Sequence, residues 1–227
     1  MRSSTAKEIL KNVKKTYSKI AEDFSRTRQK DWEEFENFLP FIKNTDKLAD
    51  IGCGNSRFYS FLSKKLQPNK IEYIGIDNNK KLLKEANKNL KGLRAKTKNN
   101  LNFKLKKGDI LKLPLKDKSF DAVSCIAVLH HIPSDKLREK AIEELARILK
   151  EKGRLFLTVW NLISQPKYKK QIGKYEKQGM LIPWGDKKIP RYYYAFRKTE
   201  LEKLLAKKFK IVKKSAGRNL NYICEKL

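Results

Sequence analysis

Apolar residues recur every three or four positions in the first 45 residues. This spacing is typical of amphipathic helices. A second stretch, WEEFENFLPFI at residues 32–42, repeats it. We therefore predict two amphipathic helices, forming an N-terminal helical cap over residues 1–45. The apolar positions of the first helix are Ile9, Leu10, Val13, Tyr17, Ile20, Ala21 and Phe24.

Five short apolar runs follow, separated from one another by helical or loop-like stretches. They read KLADIG, IEYIGID, LNFKLKKGD, SFDAVSCIAV and GRLFLTVW. Continuous apolar runs are typical of buried parallel strands, which need crossover connections. Near the end, KIVKKS and LNYICEKL read as a terminal β-hairpin joined through residues 216–218. The pattern predicts an α/β fold with an open, doubly wound, mostly parallel sheet of seven strands.

The segments after the fourth strand differ in how strongly they are patterned. A helix is predicted from Ser134, a suitable N-cap, and Gly153 is expected to end it and open the next strand. Residues 161–196 then turn rich in Pro, Gly, Lys and Tyr, with weak periodicity. Long connections inside a compact domain are usually functional. We expect one domain, residues 1–227, with this stretch as an insertion.

Charge points to a polyanionic partner. The 227-residue chain has a net charge of +29 and a pI near 10.0, which favours RNA or DNA as a ligand. An alternative is that codon bias supplies much of the charge, because the lysines are spread along the whole chain beside many Asn and Ile residues.

The sequence predicts no metal site, no disulfide and no membrane-spanning segment. The three cysteines are far apart without a C-x-x-C pair, and the two histidines are adjacent, so no metal site is predicted. The chain has neither a secretory signal pattern nor an apolar run near the roughly 20 residues that span a bilayer. We expect a cytoplasmic protein without membrane contact.

Polar and glycine signals coincide at the ends of the first three strands. Gly52 and Gly54 follow the first strand, Asp77 ends the second about 25 residues later, and Asp109 ends the third. Ligands bind at this edge of a parallel sheet, where an acidic side chain can accept both hydroxyls of a ribose. Each aspartate alone could be a turn residue. Since residues 55–57 lack the third glycine of a dinucleotide site, we predict a cofactor with a ribose but no pyrophosphate.

These signals arrive in the order DIGCGNS, YIGID, KGDILKLP and FDAVSCIAVLHHI. With them the chain, from about residue 15 to 227, resembles the class I methyltransferases that use S-adenosylmethionine, a Rossmann-like family. The third glycine of that family is Ser56 here. The resemblance implies a methionine end flanked by Asp50, Gly52 and Gly54, a ribose held by Asp77, an adenine bracketed by Asp109 and Ile110, a floor at Ala127, and cofactor contacts at Asn55 and Asn78.

Four further stretches narrow this resemblance. YSKIAEDFSRTRQKDW, IAVLHHI, LIPW and PRYYYAFRKTELEKLL are similar to the tRNA wobble-uridine methyltransferases, including the domain fused to AlkB-type oxygenases. Gln29, Asp31 and Tyr194 depart from that pattern. The resemblance implies esterification of a carboxymethyl group on a uridine of the tRNA anticodon loop. It also implies a small zinc-binding activator protein that covers a sheet edge.

The proposed acceptor determines which catalytic groups are expected. A carboxylate with a pKa near 4 is ionised at neutral pH, so methyl transfer to it needs no general base. Arg28 is predicted to bind that carboxylate, because a guanidinium can pair with a carboxylate bidentately. His130 or His131 would orient the acceptor, with His130 favoured. Predicted substrate contacts are Lys30, Arg191, Tyr192 and Tyr193, and residues 161–190 would form a lid carrying the basic stretch KYKKQIGKYEKQ.

Several of these assignments have plainer alternatives. Arg28 could be a solvated residue of a polar linker, and the tyrosines could be ordinary core alternation. The acceptor could be a small molecule such as a quinone precursor, because the cofactor motifs serve many substrates. A protein that keeps the fold and binds RNA without catalysis is a third reading, which intact Asp77 and Asp109 argue against.

Overall fold

The sheet is the organising element of this computed structural model, which describes residues 1–67, 70–97, 101–173, 177–186 and 188–227. The strands are β1 (Lys47–Ile51), β2 (Glu72–Asp77), β3 (Phe103–Lys107), β4 (Phe120–Ile126), β5 (Leu149–Trp160), β6 (Gly179–Trp184), β7 (Ile189–Tyr194), β8 (Phe209–Ala216) and β9 (Asn219–Lys226). The α-helices are α1 (Ser3–Thr27), α2 (Arg57–Lys65), α3 (Lys80–Thr97), α4 (Asp135–Ile148) and α5 (Lys198–Leu205).

Seven strands form one sheet in the order β3-β2-β1-β4-β5-β9-β8. The pairs from β3 to β5 are parallel, whereas β9 is antiparallel to both β5 and β8. The mostly parallel seven-stranded sheet and the terminal hairpin are therefore confirmed. Strand order reverses between β1 and β4, so the carboxyl ends of these two strands mark the expected ligand site.

The N-terminal region contains one of the two predicted α-helices. Helix α1 is confirmed, but the prediction of a second is wrong: Glu33–Asn37 and Leu39–Phe41 form two short 3-10 turns. The three-residue spacing of Phe35 and Phe38 suits a 3-10 turn, in which such positions share one face. Both rings are buried and pack on Phe58 of α2, with ring centroids 5.0 and 6.0 Å away. Tertiary packing thus decides the local conformation.

Helix α4 begins as predicted and ends earlier. The Ser134 side chain accepts a hydrogen bond from the Leu137 N–H at 3.4 Å. The expected end at Gly153 is wrong, because the helix stops at Ile148 and β5 begins at once. Pairing of β4 with β5 shifts register in this region, and a side-chain carbon at Gly153 would lie 2.8 Å from the Lys150 carbonyl oxygen. The glycine therefore permits an irregular turn of the strand.

A two-stranded ribbon of β6 and β7 lies within residues 161–196, where no strands were predicted. Pro183 and Pro190 face each other in it, and prolines in a run argue against a central strand. A ribbon has only edges, so it tolerates both. Thr16 of α1 donates its hydroxyl to the Pro190 carbonyl at 3.1 Å. The ribbon therefore packs beside α1.

Within the residues described, no helix has both the length and the apolar content to cross a membrane.

Candidate active site

A cavity opens at the carboxyl ends of β1, β2 and β4, with α1 along one side. All nine residues predicted to bind the cofactor line it, as do three predicted catalytic residues and two of the predicted substrate contacts. The first group is Asp50, Gly52, Gly54, Asn55, Asp77, Asn78, Asp109, Ile110 and Ala127; the others are Arg28, His130, His131, Arg191 and Tyr193. The sheet thus brings together residues from positions 28 to 193.

The glycine turn after β1 can be built only with glycine at its first position. Gly52 has a φ of +75°, and a side-chain carbon there would lie 2.2 Å from Cγ2 of Val128. The N–H groups of Gly52 and Cys53 both donate to the Ile76 carbonyl, at 2.7 and 3.0 Å. The turn is therefore held against the end of β2, which contributes the next site residue.

Ser56 occupies the position of the third glycine and takes over its backbone geometry. It has a φ of 58° and a ψ of 33°, in the left-handed region that favours glycine. Its side chain is fully buried, and its Oγ lies 3.4 Å from the Tyr73 hydroxyl oxygen. The departure from the glycine pattern leaves the course of the turn intact.

Two aspartates at adjacent strand ends are buried and hydrogen-bonded. Asp77 accepts the N–H of Gly54 at 3.0 Å and that of Asn79 at 2.8 Å. Asp50 accepts the hydroxyls of Ser124 and Tyr73, at 2.7 and 2.9 Å. Burial raises the pKa of each carboxyl to about 6. Each oxygen of Asp77 keeps a further lone pair, so it fits a ribose diol.

The predicted adenine side is less polar. Ile110 is nearly buried and belongs to the main apolar core, and Leu82 and Ile76 also line the cavity. Asp109 accepts the Leu111 N–H at 3.0 Å. Ala127 has a φ of 58°, unusual for a non-glycine residue, and its N–H donates to Thr158. A nucleoside-bearing cofactor therefore fits this chain: acceptors for hydroxyls on one side and an apolar slot on the other.

Cofactor affinity should depend on pH through Asp77. Ribose hydroxyls donate to an ionised carboxylate, so we expect binding of S-adenosylhomocysteine to weaken as pH falls below about 6, by up to about tenfold per pH unit. Calorimetric titrations between about pH 5 and 8 would measure this. Asp77→Asn should bind weakly across the range with a flatter profile. Equal pH dependence in the variant would show that another group is responsible.

The raised pKa values also have a defined effect on stability. A carboxyl whose folded-state pKa exceeds its ordinary value contributes stability below that ordinary value and loses it as pH rises through the folded pKa. For Asp50 and Asp77 the loss occurs between about pH 4 and 6. Ionisation of Asp50 and Asp77 therefore lowers the stability of the folded chain, whereas cofactor binding uses the ionised form of Asp77.

Both histidines face the cavity, but only His130 keeps a ring nitrogen free among the described residues. His131 is hydrogen-bonded through Nδ1 to the Tyr192 carbonyl at 2.7 Å and through Nε2 to the Tyr17 hydroxyl at 2.9 Å. Nδ1 of His130 accepts the Trp160 N–H at 3.2 Å. Burial lowers the pKa of His131 to about 3 and that of His130 well below its usual value. His130 is therefore neutral, with its proton on Nε2 as a hydrogen-bond donor.

Two guanidinium groups of the cavity lining stack on one indole. The Cζ atoms of Arg28 and Arg191 each lie 4.7 Å from the centroid of the Trp184 ring. The indole N–H of Trp184 donates to Asp23 at 2.7 Å. Burial and the charge of Arg191 lower the pKa of Arg28. Two like charges are thus held close together.

Arg191 is buried without an anion to balance it. The residue is 4% exposed, and its Nε atom has no hydrogen-bond partner within the described chain. In the same residues no carboxylate forms an ion pair with Arg28 or Arg191, whereas Arg26, Arg138, Arg147 and Arg154 all have one. An uncompensated buried cation is costly. The part of the cavity around Arg191 is therefore suited to an anionic ligand.

Two predicted substrate contacts lie away from the cavity lining. Lys30 is exposed, and its carbonyl accepts a hydrogen bond from Arg57 at 3.3 Å. The Tyr192 side chain lies in the main apolar core, and its hydroxyl donates to the Pro133 carbonyl at 3.5 Å. Neither side chain joins the cavity in this geometry.

Several lining residues were not predicted from the sequence. They include Tyr17, Arg57, Trp160 and Trp184. For Trp184 a signal existed, because it belongs to the LIPW stretch. The helical spacing of Tyr17 indicated only packing. Across the described residues, no three His, Cys, Asp or Glu side chains group as a metal site.

Comparison with known proteins shows what this chain is similar to. Residues 49–157 match the family model described as a methyltransferase domain. The chain is 32% identical over 190 residues to the tRNA (carboxymethyluridine(34)-5-O)-methyltransferase ALKBH8 of Mus musculus, covering 82% of this chain and 25% of that protein. It thus spans about a quarter of that relative. The tRNA (carboxymethyluridine(34)-5-O)-methyltransferase of Schizosaccharomyces pombe is 30% identical over 215 residues, covering 85% of this chain and 86% of that one.

Solved structures share the fold at lower identity. A SAM-dependent methyltransferase from Methanosarcina mazei superposes with a TM-score of 0.69 at 24% identity, covering 86% of this chain and 98% of that chain. A putative methyltransferase of Haloferax volcanii, solved in complex with the activator Trm112, gives 0.65 at 15% identity, covering 92% and 97%. Since its match to the fission yeast protein extends over most of both chains, this chain belongs to the tRNA (carboxymethyluridine(34)-5-O)-methyltransferase family, class I methyltransferases that use S-adenosylmethionine.

Proposed function

We propose that this chain transfers the methyl group of S-adenosylmethionine to the carboxylate of a carboxymethyl-modified wobble uridine in tRNA, forming the methyl ester. The observation that carries the proposal is Arg191, a buried guanidinium without a counter-ion in the cavity that Asp77 also lines. The names of the mouse and fission yeast relatives support the same reaction.

The proposed chemistry matches the groups present. When bound by Asp50, the glycine turn and Asp77, S-adenosylmethionine supplies a methyl group on a sulfonium sulfur, which an ionised carboxylate can attack without losing a proton. Both histidines are neutral because burial lowers each pKa. Arg191 would pair with the acceptor carboxylate, and the Nε2–H of His130 would donate to the acceptor. The residues thus orient an oxygen nucleophile in a water-poor site.

An aromatic stack beside Arg191 suits a nucleobase. The Tyr193 ring lies 4.9 Å from both Trp160 and His130, at interplanar angles of 26° and 27°. Aromatic faces and guanidinium planes are the usual platform for bases that leave a single-stranded loop. A wobble uridine lies in such a loop, so presenting it costs little. We assign base contact to Tyr193 and leave Trp160 to support it.

The basic stretch KYKKQIGKYEKQ, residues 167–178, remains a proposed contact for anticodon-stem phosphates. Lys167, Lys169 and Lys170 are exposed, whereas Lys174, Tyr175 and Glu176 lie outside the described residues. Residues 161–190 would form the substrate lid that carries this stretch. If the lysines bind phosphates, tRNA affinity should fall steeply with salt.

An activator protein is the second proposed partner. The Haloferax volcanii neighbour was solved with Trm112, and the sequence resemblance implied a small zinc-binding activator at a sheet edge. Strand β3 is one edge of the sheet here, and Lys104 and Lys106 on it are exposed. A partner that paired with β3 would need acidic residues opposite them.

Methyl transfer from labelled S-adenosylmethionine to tRNA lacking the ester tests the proposal. We expect label that alkali releases, together with the methyl ester in mass spectra of the digested nucleosides. Asp77→Asn is the matched control and should transfer little. Label only on a metabolite extract, or on tRNA in an alkali-stable form, would contradict the proposed acceptor.

A further inference from the structure

We infer that the cavity contains two separate carboxylate sites: Arg28 receives the amino-acid carboxylate of the cofactor, and Arg191 receives the carboxylate of the acceptor. This gives Arg28 a different role from the one that its sequence neighbours suggested. The assignment of Arg28 concerns cofactor binding alone. The assignment of Arg191 rests on the proposed function.

The reaction requires two anionic groups in one cavity. S-adenosylmethionine has a carboxylate on its methionine end, and the proposed acceptor has another. Removing each from water is costly unless a cation or hydrogen-bond donors replace the lost hydration. One guanidinium shared by both would bring the two anions together, so two cations at separate places are the favourable arrangement.

Arg28 lies at the methionine end because its backbone is fixed to the glycine turn. Its carbonyl accepts the side-chain N–H of Asn55 at 3.2 Å. The amide of Asn89 in α3 donates to the Asn55 carbonyl at 3.1 Å and to the Ser25 hydroxyl at 3.2 Å. These bonds fasten the end of α1 to the loop. The backbone of Arg28 therefore lies beside the loop that follows the glycine turn, and its side chain lines the same cavity as Asp50, Gly52 and Gly54.

A third guanidinium reinforces this site. Arg57 directly follows the glycine turn and stacks on Trp32, its Cζ 4.5 Å from the ring centroid. Burial, then the charge of Arg28, lowers the pKa of Arg57 to about 10. Arg28 and Arg57 both line the cavity, so both place positive charge on its wall.

Arg191 lies nearest the rings that are proposed to contact the base. It extends from β7, and its Cζ lies 5.1 Å from the Tyr193 ring centroid and 5.9 Å from that of Trp160. These are the rings proposed to contact the base, and His130 stacks on Tyr193. A carboxylate bound by Arg191 would therefore belong to the acceptor.

Trp184 contacts both guanidinium groups. Both guanidinium groups lie 4.7 Å from its ring centroid, where the aromatic face attracts cations. The Asp23 carboxylate accepts a hydrogen bond from the indole N–H at 2.7 Å and also forms an ion pair with Arg26. The aromatic face of Trp184 thus compensates part of the repulsion between Arg28 and Arg191.

Binding of two nucleosides that differ only in one carboxylate tests the assignment. The probes are S-adenosylhomocysteine and its decarboxylated analogue, titrated calorimetrically without tRNA. Arg28→Gln should weaken S-adenosylhomocysteine roughly 10- to 100-fold, the scale of a charge-assisted hydrogen bond, and leave the analogue unchanged. Arg28→Lys should restore part of the loss. Arg191→Gln should leave both affinities within about twofold.

Lys15→Gln is the matched control, since Lys15 is an exposed cation of the same helix α1. Equal weakening of both probes by Arg28→Gln, or no weakening of either, would overturn the Arg28 assignment, as would selective weakening of S-adenosylhomocysteine by Arg191→Gln. These titrations use no acceptor, so their failure is distinct from failure of the proposed function, which only the tRNA assay can show.

Discussion

Arg191→Gln should lower the single-turnover rate of methyl transfer to tRNA by about 100-fold or more, the usual scale for removing one preorganised electrostatic contact. The guanidinium is the buried cation proposed to hold the acceptor carboxylate, and glutamine of similar length has no charge. Single-turnover rates at saturating S-adenosylmethionine would measure the effect. Arg191→Lys should recover only part of it, because an ammonium cannot pair bidentately.

A stability measurement separates this role from a structural one. The buried Nε of Arg191 is unpaired in the described chain, and the charges of Arg191 and Arg28 repel. Removing the cation should therefore leave the melting temperature unchanged or raise it. Arg197→Gln, at an exposed position on the same chain segment, should alter neither rate nor stability. A clear drop in melting temperature together with the lost rate would indicate that Arg191 is structural.

Gly52→Ala should reduce affinity for S-adenosylhomocysteine by about 100-fold or more, because two penalties push the turn out of the geometry that lines the cofactor site. The residue has a φ of +75°, where a left-handed conformation costs an alanine about 1–2 kcal/mol. Its new carbon would also lie 2.2 Å from Cγ2 of Val128, so the wall of the cavity must move. Calorimetric titration would measure the affinity, and thermal unfolding would report the accompanying loss of stability.

A second variant distinguishes the two penalties. Gly52→Ala combined with Val128→Ala removes the steric conflict and should recover part of the affinity. The part still lost is then due to the strained backbone at residue 52. Gly92→Ala is the matched glycine control, since its position in α3 has no atom within 4 Å of the added carbon. That change should stabilise the chain by about 0.5–1 kcal/mol. Unaltered cofactor binding by Gly52→Ala would refute the proposed place of the turn in the site.

The cofactor side was predictable because its signals are local. Apolar runs of strand length, the paired glycines and an aspartate at each strand end are all short-range features. A parallel sheet necessarily brings such strand ends to one edge. All nine predicted cofactor residues consequently line one cavity. Ser56 is the one departure, and it adopts the left-handed backbone that the missing glycine would have provided.

The acceptor side was less predictable because its geometry joins residues far apart in the chain. Four of these residues come together only when α1 packs beside the ribbon of β6 and β7: Asp23, Arg28, Trp184 and Arg191. The strands of that ribbon were hard to predict because each contains a proline. The histidine pair posed a similar difficulty, since the free nitrogen of His130 depends on the N–H of Trp160.

The sequence by itself determined the sheet, the cofactor edge and the supply of positive charge, since each depends on residue type and short spacing. Only the tertiary structure decided which of the many cations is buried without an anion. That property depends on which side chains lie nearby in three dimensions, and no spacing along the chain encodes it.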